Sequence, residues 1–182
     1  DFLIDRDDYK FLECSNEAII PSLVNISKKV ISKGYDYKRV QIMAPMYAGV
    51  NGIDNINKVL QDVFNPVELD KKEIRVGDIT YRVGDKVLQL VNDPDNNIFN
   101  GDIGYISSIG SVMGSKNKDI FTIDFDGNEV QYTREDLINI KHAYAITIHK
   151  SQGSEFAHVI MPVSKAYYKM LYNKLIYTGV SR

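Results

Sequence analysis

The sequence predicts an α/β fold in which a parallel-sheet lobe is interrupted by a small all-β unit. Three observations predict it. Continuous apolar runs at 40–44, 143–148 and 159–163 read as short strands buried on both faces. Residues 53–64 and 166–180 carry apolar side chains at helical spacing. Between about 73 and 140 the pattern changes to short β-rich runs separated by frequent turn signals. A chain of 182 residues has room for one ordinary domain or two small ones sharing a core.

Taken in order, 2–5 and 11–14 have strand-like apolar content, and Ser15 or Asn16 is placed to cap a helix with Glu17 in its first turn. Ile20, Leu23, Val24, Val30 and Ile31 give that helix an apolar stripe, Pro21 falls early in it, and Gly34 ends it. The strand at 40–44 runs into the loop Pro45-Met46-Tyr47-Ala48-Gly49-Val50-Asn51-Gly52. The next helix, 53–64, places Ile53, Ile56, Leu60, Val63 and Phe64 on one side, and Asn65-Pro66 closes it.

Gly77-Asp78, Gly84-Asp85, Asn92-Asp93-Pro94, Asn100-Gly101-Asp102 and Asp126-Gly127-Asn128 then punctuate β-rich runs at 86–91, 103–109, 120–125 and 129–132. This spacing predicts a small barrel or sandwich, with Asp126-Gly127 as a hairpin turn and 111–118 as a polar hairpin tip. The α/β pattern resumes at 143–148 and 159–163. A last helix at 166–180 carries Leu171, Leu175 and Ile176 at helical spacing.

Composition narrows the function classes. The hydrophobic fraction of 44% and charged fraction of 25% are those of a folded globular chain. No apolar run reaches the length of a membrane span, and no secretory leader is evident, so we expect a cytoplasmic protein with no membrane partner. The single cysteine, Cys14, excludes an internal disulfide. His142, His158 and Cys14 lack metal-site spacing, so no metal site is read here. A net charge of −2 argues against nucleic-acid contact over most of the surface, although a few placed cations suffice for a local site.

The stretch Ala145-Ile146-Thr147-Ile148-His149-Lys150-Ser151-Gln152-Gly153-Ser154-Glu155-Phe156 is the most informative. An apolar strand runs directly into a polar, glycine-containing turn, and open α/β sheets place their ligand crevices at such carboxyl ends. Strand alternation would point Thr147 and His149 to the same side, with Gln152 and Glu155 three apart beyond them. Singly, these residues could be surface or capping side chains.

As a block, Thr147 through Phe156 resembles motif V of superfamily-1 helicases, in the form typical of the RecD-like branch. Two further blocks agree in order and spacing. Leu175-Ile176-Tyr177-Thr178-Gly179-Val180-Ser181-Arg182 resembles motif VI, and Ala44-Pro45-Met46-Tyr47-Ala48-Gly49, with Leu60-Gln61 and Asn65-Pro66 after it, resembles the motif IV region. Tyr81-Arg82-Val83-Gly84-Asp85-Lys86-Val87 and Phe99-Asn100-Gly101-Asp102-Ile103-Gly104 resemble the family's SH3-like insertion. The resemblance spans roughly 40–182.

The resemblance implies the second RecA-like motor lobe, 1–70 with 141–182, carrying an SH3-like β-barrel at 71–140. ATP with Mg2+ would bind between this lobe and an N-terminal motor lobe of the same chain, and single-stranded DNA would cross both. Arg182 takes the place of the arginine that reaches the γ-phosphate, where a fixed guanidinium stabilises charge on the transferring phosphoryl group. Gln152, Gly153 and Glu155 match positions facing the nucleotide, with Glu155 accepting from the ribose and Gln152 reaching the terminal phosphates. Thr147 and His149 match positions near the DNA strand. Lys150 either pairs with a DNA phosphate or is solvated. The whole enzyme would be a DNA helicase of repair or recombination, moving 5′ to 3′.

This sequence departs from the pattern at Ala48, where relatives commonly have Arg or Lys, and mildly at Gly179 and Ser181. None of the 12 glycines precedes a lysine, so no Walker A motif is present, and no Asp-Glu pair follows an apolar strand to make a Walker B. The Mg2+ ligands are therefore expected from the first lobe, the chain is read as cut from a longer protein, and alone it should not hydrolyse ATP. Two rivals remain: a non-catalytic adaptor built of a β-barrel on an α/β scaffold, and the helicase domain of a relaxase- or nuclease-associated protein. Within the insertion, Arg82, Lys86 and the Lys116-Asn117-Lys118 tip are the candidate DNA contacts, against a solvated hairpin. Tyr167, Tyr168 and Tyr172 are read as packing residues.

Overall fold

The structure, a computed structural model, describes residues 10, 12–44, 49–111, 118–152 and 154–163. The strand expected at 2–5, the helix at 166–180, the loop at 45–48, most of the hairpin tip (112–117) and the motif VI block at 175–182 lie outside the described residues.

Of the strand expected at 11–14, residues 12–14 are irregular and Leu12 is exposed. A short 3₁₀ turn, Asn16–Ala18, leads straight into α1 (Ile19–Ser32). Pro21 sits in the first helical turn, where an N–H has no intrahelical acceptor, so the helix passes through it. The buried positions are Ile19, Leu23 and Ser27. The stripe thus starts one residue earlier than expected, and this phase turns Ile31 out to solvent. Gly34 ends the helix with φ +79: its N–H donates to Ile31 O at 2.9 Å, and Tyr35 N–H donates to Val30 O at 3.2 Å. This is the paired closure that a left-handed residue after a helix permits.

Three parallel strands follow the order β10-β1-β9, with β1 Val40–Ala44, β9 Ala145–Thr147 and β10 His158–Ile160. The central strand β1 is buried throughout, which explains why it reads as an unbroken apolar run. Its register sets Ile42 beside Ala145 and Ala44 beside Thr147. The helices α1 and α2 (Ile53–Phe64) share a core with this sheet through Ile19, Leu23, Ile42, Ile53, Ile56 and Leu60. Met43 and Ile148 form a second cluster with Phe156, Val159 and Met161.

Between α2 and β9 the chain builds the β unit. A hairpin, β2 (Glu73–Val76) and β3 (Ile79–Arg82), turns at Gly77-Asp78. The main sheet has the order β7-β6-β5-β4-β8, all antiparallel: β4 Lys86–Gln89, β5 Ile103–Ser111, β6 Asp119–Phe125, β7 Asn128–Tyr132 and β8 Ile140–His142. The Asp126-Gly127 turn has φ values of 53° and 88°, the two positive φ angles that a tight hairpin requires. Tyr81 carries the first hairpin onto the core formed by Val87, Ile106, Phe121 and Ile123. Gly104 is held small by its neighbours: a Cβ there would lie 2.8 Å from Ile123 Cγ2 and Phe125 Cδ1.

The strand expected at 143–148 is shorter, 145–147, and a separate strand precedes it. Residues 140–142 belong to the five-stranded sheet as β8, and only 145–147 belong to the parallel sheet. Two residues, Ala143 and Tyr144, make the whole crossing. Ala143 N–H donates to Lys86 O at 2.8 Å, while Tyr144 O accepts from Ile42 N–H at 3.2 Å, so the backbone changes partners from one sheet to the other within two positions.

Candidate functional site

The turn after β9 departs from the alternation expected along it. Strand geometry ends at Thr147, Ile148 takes a helical conformation (φ −58°, ψ −36°), and His149–Ser151 form a 3₁₀ turn. Thr147 and His149 therefore do not share one strand face: Thr147 is 7% exposed, whereas His149 lies open to solvent. Packing forces the change, because Ile148 is buried against Met43 and Phe156, and the buried Ser151 Oγ donates back to Ile148 O at 2.7 Å. Thr147 Oγ1 accepts from Lys150 N–H at 3.2 Å. That leaves the hydroxyl proton free to donate outward.

Around this braced turn the polar side chains diverge. His149, Gln152 and Glu155 are exposed, and Lys150 is half-buried with its ammonium donating to Asn100 Oδ1. Glu155 lines a cleft of about 410 Å³ together with Lys86, Tyr105, Asp124 and Phe156. Gly153 and Arg182 lie outside the described residues. The structure thus brings Thr147, His149, Lys150 and Gln152 onto one short turn, with Glu155 displaced toward the β unit.

Two candidate DNA contacts in the insertion are corrected. Arg82 and Lys86 are only 4% and 1% exposed, so neither can reach a nucleic-acid backbone. Arg82 donates to Glu73 Oε2 at 2.8 Å, to Asp62 Oδ1 at 3.2 Å and to Asn65 O. Lys86 Nζ donates to Val40 O at 3.1 Å beside the Phe156 ring, and burial pushes its pKa down to about 7. Both are structural ties between the β unit and the lobe.

The centre of that junction is Asp85, fully buried, which the sequence offered as part of a turn and of the block resembling the SH3-like insertion, with no partner for its carboxylate. Its Oδ2 accepts from Gln61 Nε2 at 2.8 Å and Arg82 N–H at 2.7 Å, with His142 Nε2 2.9 Å away. Its Oδ1 accepts from Asn65 Nδ2 and the Tyr144 hydroxyl, each at 2.8 Å. Burial alone would raise this carboxyl, but the hydrogen bond and charge of His142, with the Asn65 and Tyr144 hydrogen bonds, outweigh it and hold Asp85 below the usual carboxylate range. The available signal was Gln61 and Asn65 continuing the apolar side of α2, where a polar residue needs a buried partner.

A parallel sheet ends in this turn, with an antiparallel β unit inserted ahead of it, and each part matches a helicase family. Residues 56–125 match the family model described as the ATP-dependent RecD-like DNA helicase SH3 domain, and 142–182 match the UvrD-like helicase C-terminal domain. The first match begins inside α2, so the family unit includes the Gln61 and Asn65 that hold Asp85.

The chain is 38% identical over 143 residues to the ATP-dependent RecD2 DNA helicase of Deinococcus radiodurans, over 79% of this chain and 19% of that protein. It is 27% identical over 149 residues to the RecBCD enzyme subunit RecD of Buchnera aphidicola subsp. Schizaphis graminum, over 80% of this chain and 24% of that one. A solved Pif1 helicase, from work on DNA unwinding at forked double-stranded DNA, shares the fold with a TM-score of 0.52 at 19% identity, over 96% of this chain and 46% of that one. The chain belongs to the RecD-like DNA helicases and corresponds to their C-terminal region. It spans 19% and 24% of the length of the two curated relatives. Among the described residues no helix is long and apolar enough to cross a membrane.

Proposed function

We propose that this chain is the second motor lobe of a cytoplasmic, ATP-dependent helicase that moves 5′ to 3′ along single-stranded DNA and separates the duplex. In this reading 1–70 with 141–182 form the lobe and 71–140 the SH3-like insertion, with β8 lying across the second boundary. What supports it most is the braced turn after β9, which presents His149 and Gln152 to solvent from a packed base of Ile148 and Ser151.

Thr147, His149 and Lys150 face the DNA strand. The Thr147 hydroxyl, already accepting from Lys150 N–H, donates to a phosphate oxygen, and the exposed His149 ring lies beside the strand. Lys150 is steered by Asn100 and adds positive charge near the backbone. Gln152, Gly153 and Glu155 face the nucleotide. The donor set fits ATP, since an exposed carboxylate accepts from ribose hydroxyls and an exposed amide donates to phosphate oxygens. Bound ATP supplies the phosphoryl group whose transfer drives movement. Arg182 stabilises the charge that develops on it. Mg2+ is assigned to ligands of an N-terminal motor lobe, because this sequence carries neither a Walker A nor a Walker B motif. The chain by itself is then expected to show no ATP turnover.

The test uses the intact helicase carrying Thr147→Ala and His149→Ala together. Single-strand binding should weaken, or ATP turnover should lose its dependence on DNA, while nucleotide affinity stays near that of the unsubstituted enzyme. Unchanged DNA-stimulated turnover and unwinding would remove this turn from the DNA track.

A further inference from the structure

The β unit carries one aromatic side chain held out to solvent beside the motif V turn. Residues 92–102 form a loop whose backbone is pinned along its length. Asp93 and Ile98 exchange two hydrogen bonds, at 2.7 and 3.0 Å. Asn92 Oδ1 accepts from Asn100 N–H at 2.9 Å, and Asp102 Oδ2 accepts from Phe99 N–H at 2.7 Å. Phe99 O accepts from Asp102 N–H at 3.0 Å, and Gly101 N–H donates to Gln89 O at 2.9 Å. On the far side Asn128 Nδ2 braces Asn96 O at 2.8 Å.

Ile98 anchors the loop in the core at 0% exposure, yet the next residue, Phe99, is 46% exposed although both its backbone polar groups are engaged. A large apolar ring on a fixed backbone, left half in water when its neighbour is buried, is suited to a partner with a flat apolar face.

The loop also touches the DNA-facing turn. Asn100 Oδ1 accepts from Lys150 Nζ, and a Cβ on Gly101 would come within 3.9 Å of Lys150 O. Phe99 is thus one residue away from a direct contact with Lys150. The loop contributes Asp93, Asp95 and Asp102 and no Lys or Arg between 92 and 102, so its own charge repels phosphate. The chemistry left for it is stacking on a base.

We propose that Phe99 is a stacking platform for one base of the single strand lying on the motif V turn, so that the SH3-like insertion contributes to the DNA track through an aromatic face and not through cations. This rests on the DNA-facing role proposed for Thr147, His149 and Lys150. Because Phe99 contacts no phosphate, its contribution is independent of salt, whereas that of Lys150 is not.

The experiment measures binding of the intact helicase to oligo(dT) and to an abasic strand of equal length, each across a salt series. Phe99→Ala should weaken oligo(dT) binding by about fivefold to a hundredfold, the range for loss of one base–aromatic stack. It should leave abasic-strand affinity and the salt slope unchanged. Phe99→Tyr should bind like the parent, and Phe99→Leu, apolar but without a π face, should behave like Phe99→Ala. Equal losses on both strands, or oligo(dT) affinity unchanged in Phe99→Ala while Thr147→Ala and His149→Ala weaken it, would overturn the platform and leave the motor reading standing. Unchanged affinity in all of these variants would overturn both.

Discussion

Replacing Asp85 with alanine removes the acceptor for five groups at once, and the cost can be built from the surroundings of each. Gln61 Nε2 and Asn65 Nδ2 each keep a second acceptor, Thr80 O at 2.8 Å and Val83 O at 3.1 Å, so both are only partly orphaned. The Tyr144 hydroxyl and Arg82 N–H lose their acceptor outright inside a site without water access. At about 1–3 kcal/mol for each buried group left unpaired, two full losses and a share of the others give about 3–5 kcal/mol. A domain of this size has roughly 5–15 kcal/mol in total. Asp85→Asn keeps the shape and one acceptor oxygen but turns an NH2 toward donors, and should cost about half as much.

The assay is equilibrium urea unfolding followed by far-UV circular dichroism and by the 12 tyrosines, since the chain has no tryptophan. The parent should unfold in one transition by both probes, and Asp85→Ala should separate the unfolding of the two parts of the chain. The pH dependence has a fixed sign. A carboxyl held below its unfolded value of about 3.9 contributes stability above that pH and loses it as the pH falls through the lower folded value. Asp85→Asn should therefore flatten the acid limb of the stability curve. A stability loss under about 1 kcal/mol in Asp85→Ala would refute the assignment of Asp85 as the centre of the junction.

Three other expectations concern single side chains. Lys86, pushed down to about 7 against an unfolded value near 10.4, binds its proton less well when folded, so the parent should gain stability as pH rises from about 7 to 10. Lys86→Met should remove that rise and add about 1–3 kcal/mol at pH 7, and an unchanged slope in parallel denaturation curves would contradict it. Gly104→Ala should cost about 1–3 kcal/mol by driving a methyl into Ile123 and Phe125, read as a fall in the unfolding midpoint with the same m-value. In the intact helicase, Arg182→Ala should leave ATP binding within a few-fold yet depress turnover by about 10³ or more, with little rescue by Arg182→Lys, since an ammonium lacks the planar fork. An alanine variant that kept most of its turnover under saturating ATP and DNA would end that role.

What the sequence disclosed follows from where periodicity is enforced. The run Val40–Ala44 was legible because a central strand buried on both sides has no reason to alternate, and α2 was legible because Ile53, Ile56, Leu60 and Phe64 all face one core. The hairpin at Asp126-Gly127 was legible because few residues accept two successive positive φ angles. The irregular path of 12–14 and the shifted face of α1 were not, since a weak stripe containing Ser27 can be phased in two ways.

At the candidate site, the sequence located the turn after β9 but placed His149 on the wrong geometry. The strand ends where Ser151 folds back on Ile148, and that is a tertiary contact no alternation rule contains. Asp85 was hidden for the same reason, its five partners being scattered from Gln61 to Tyr144.

The two routes between the parts of the molecule differ in slack. From α2 the chain takes the long exposed stretch 66–72, with Leu69 fully in solvent, before β2 begins. On the return, Ala143 and Tyr144 are the whole link, and both are pinned by backbone hydrogen bonds to opposite sheets. Strain applied to the β unit has a covalent path through Tyr144 into β9, and from there it is three residues to the turn that carries His149, whereas on the outgoing side it reaches α2 through the hydrogen bonds of Arg82 and Asp85 and not through the chain itself.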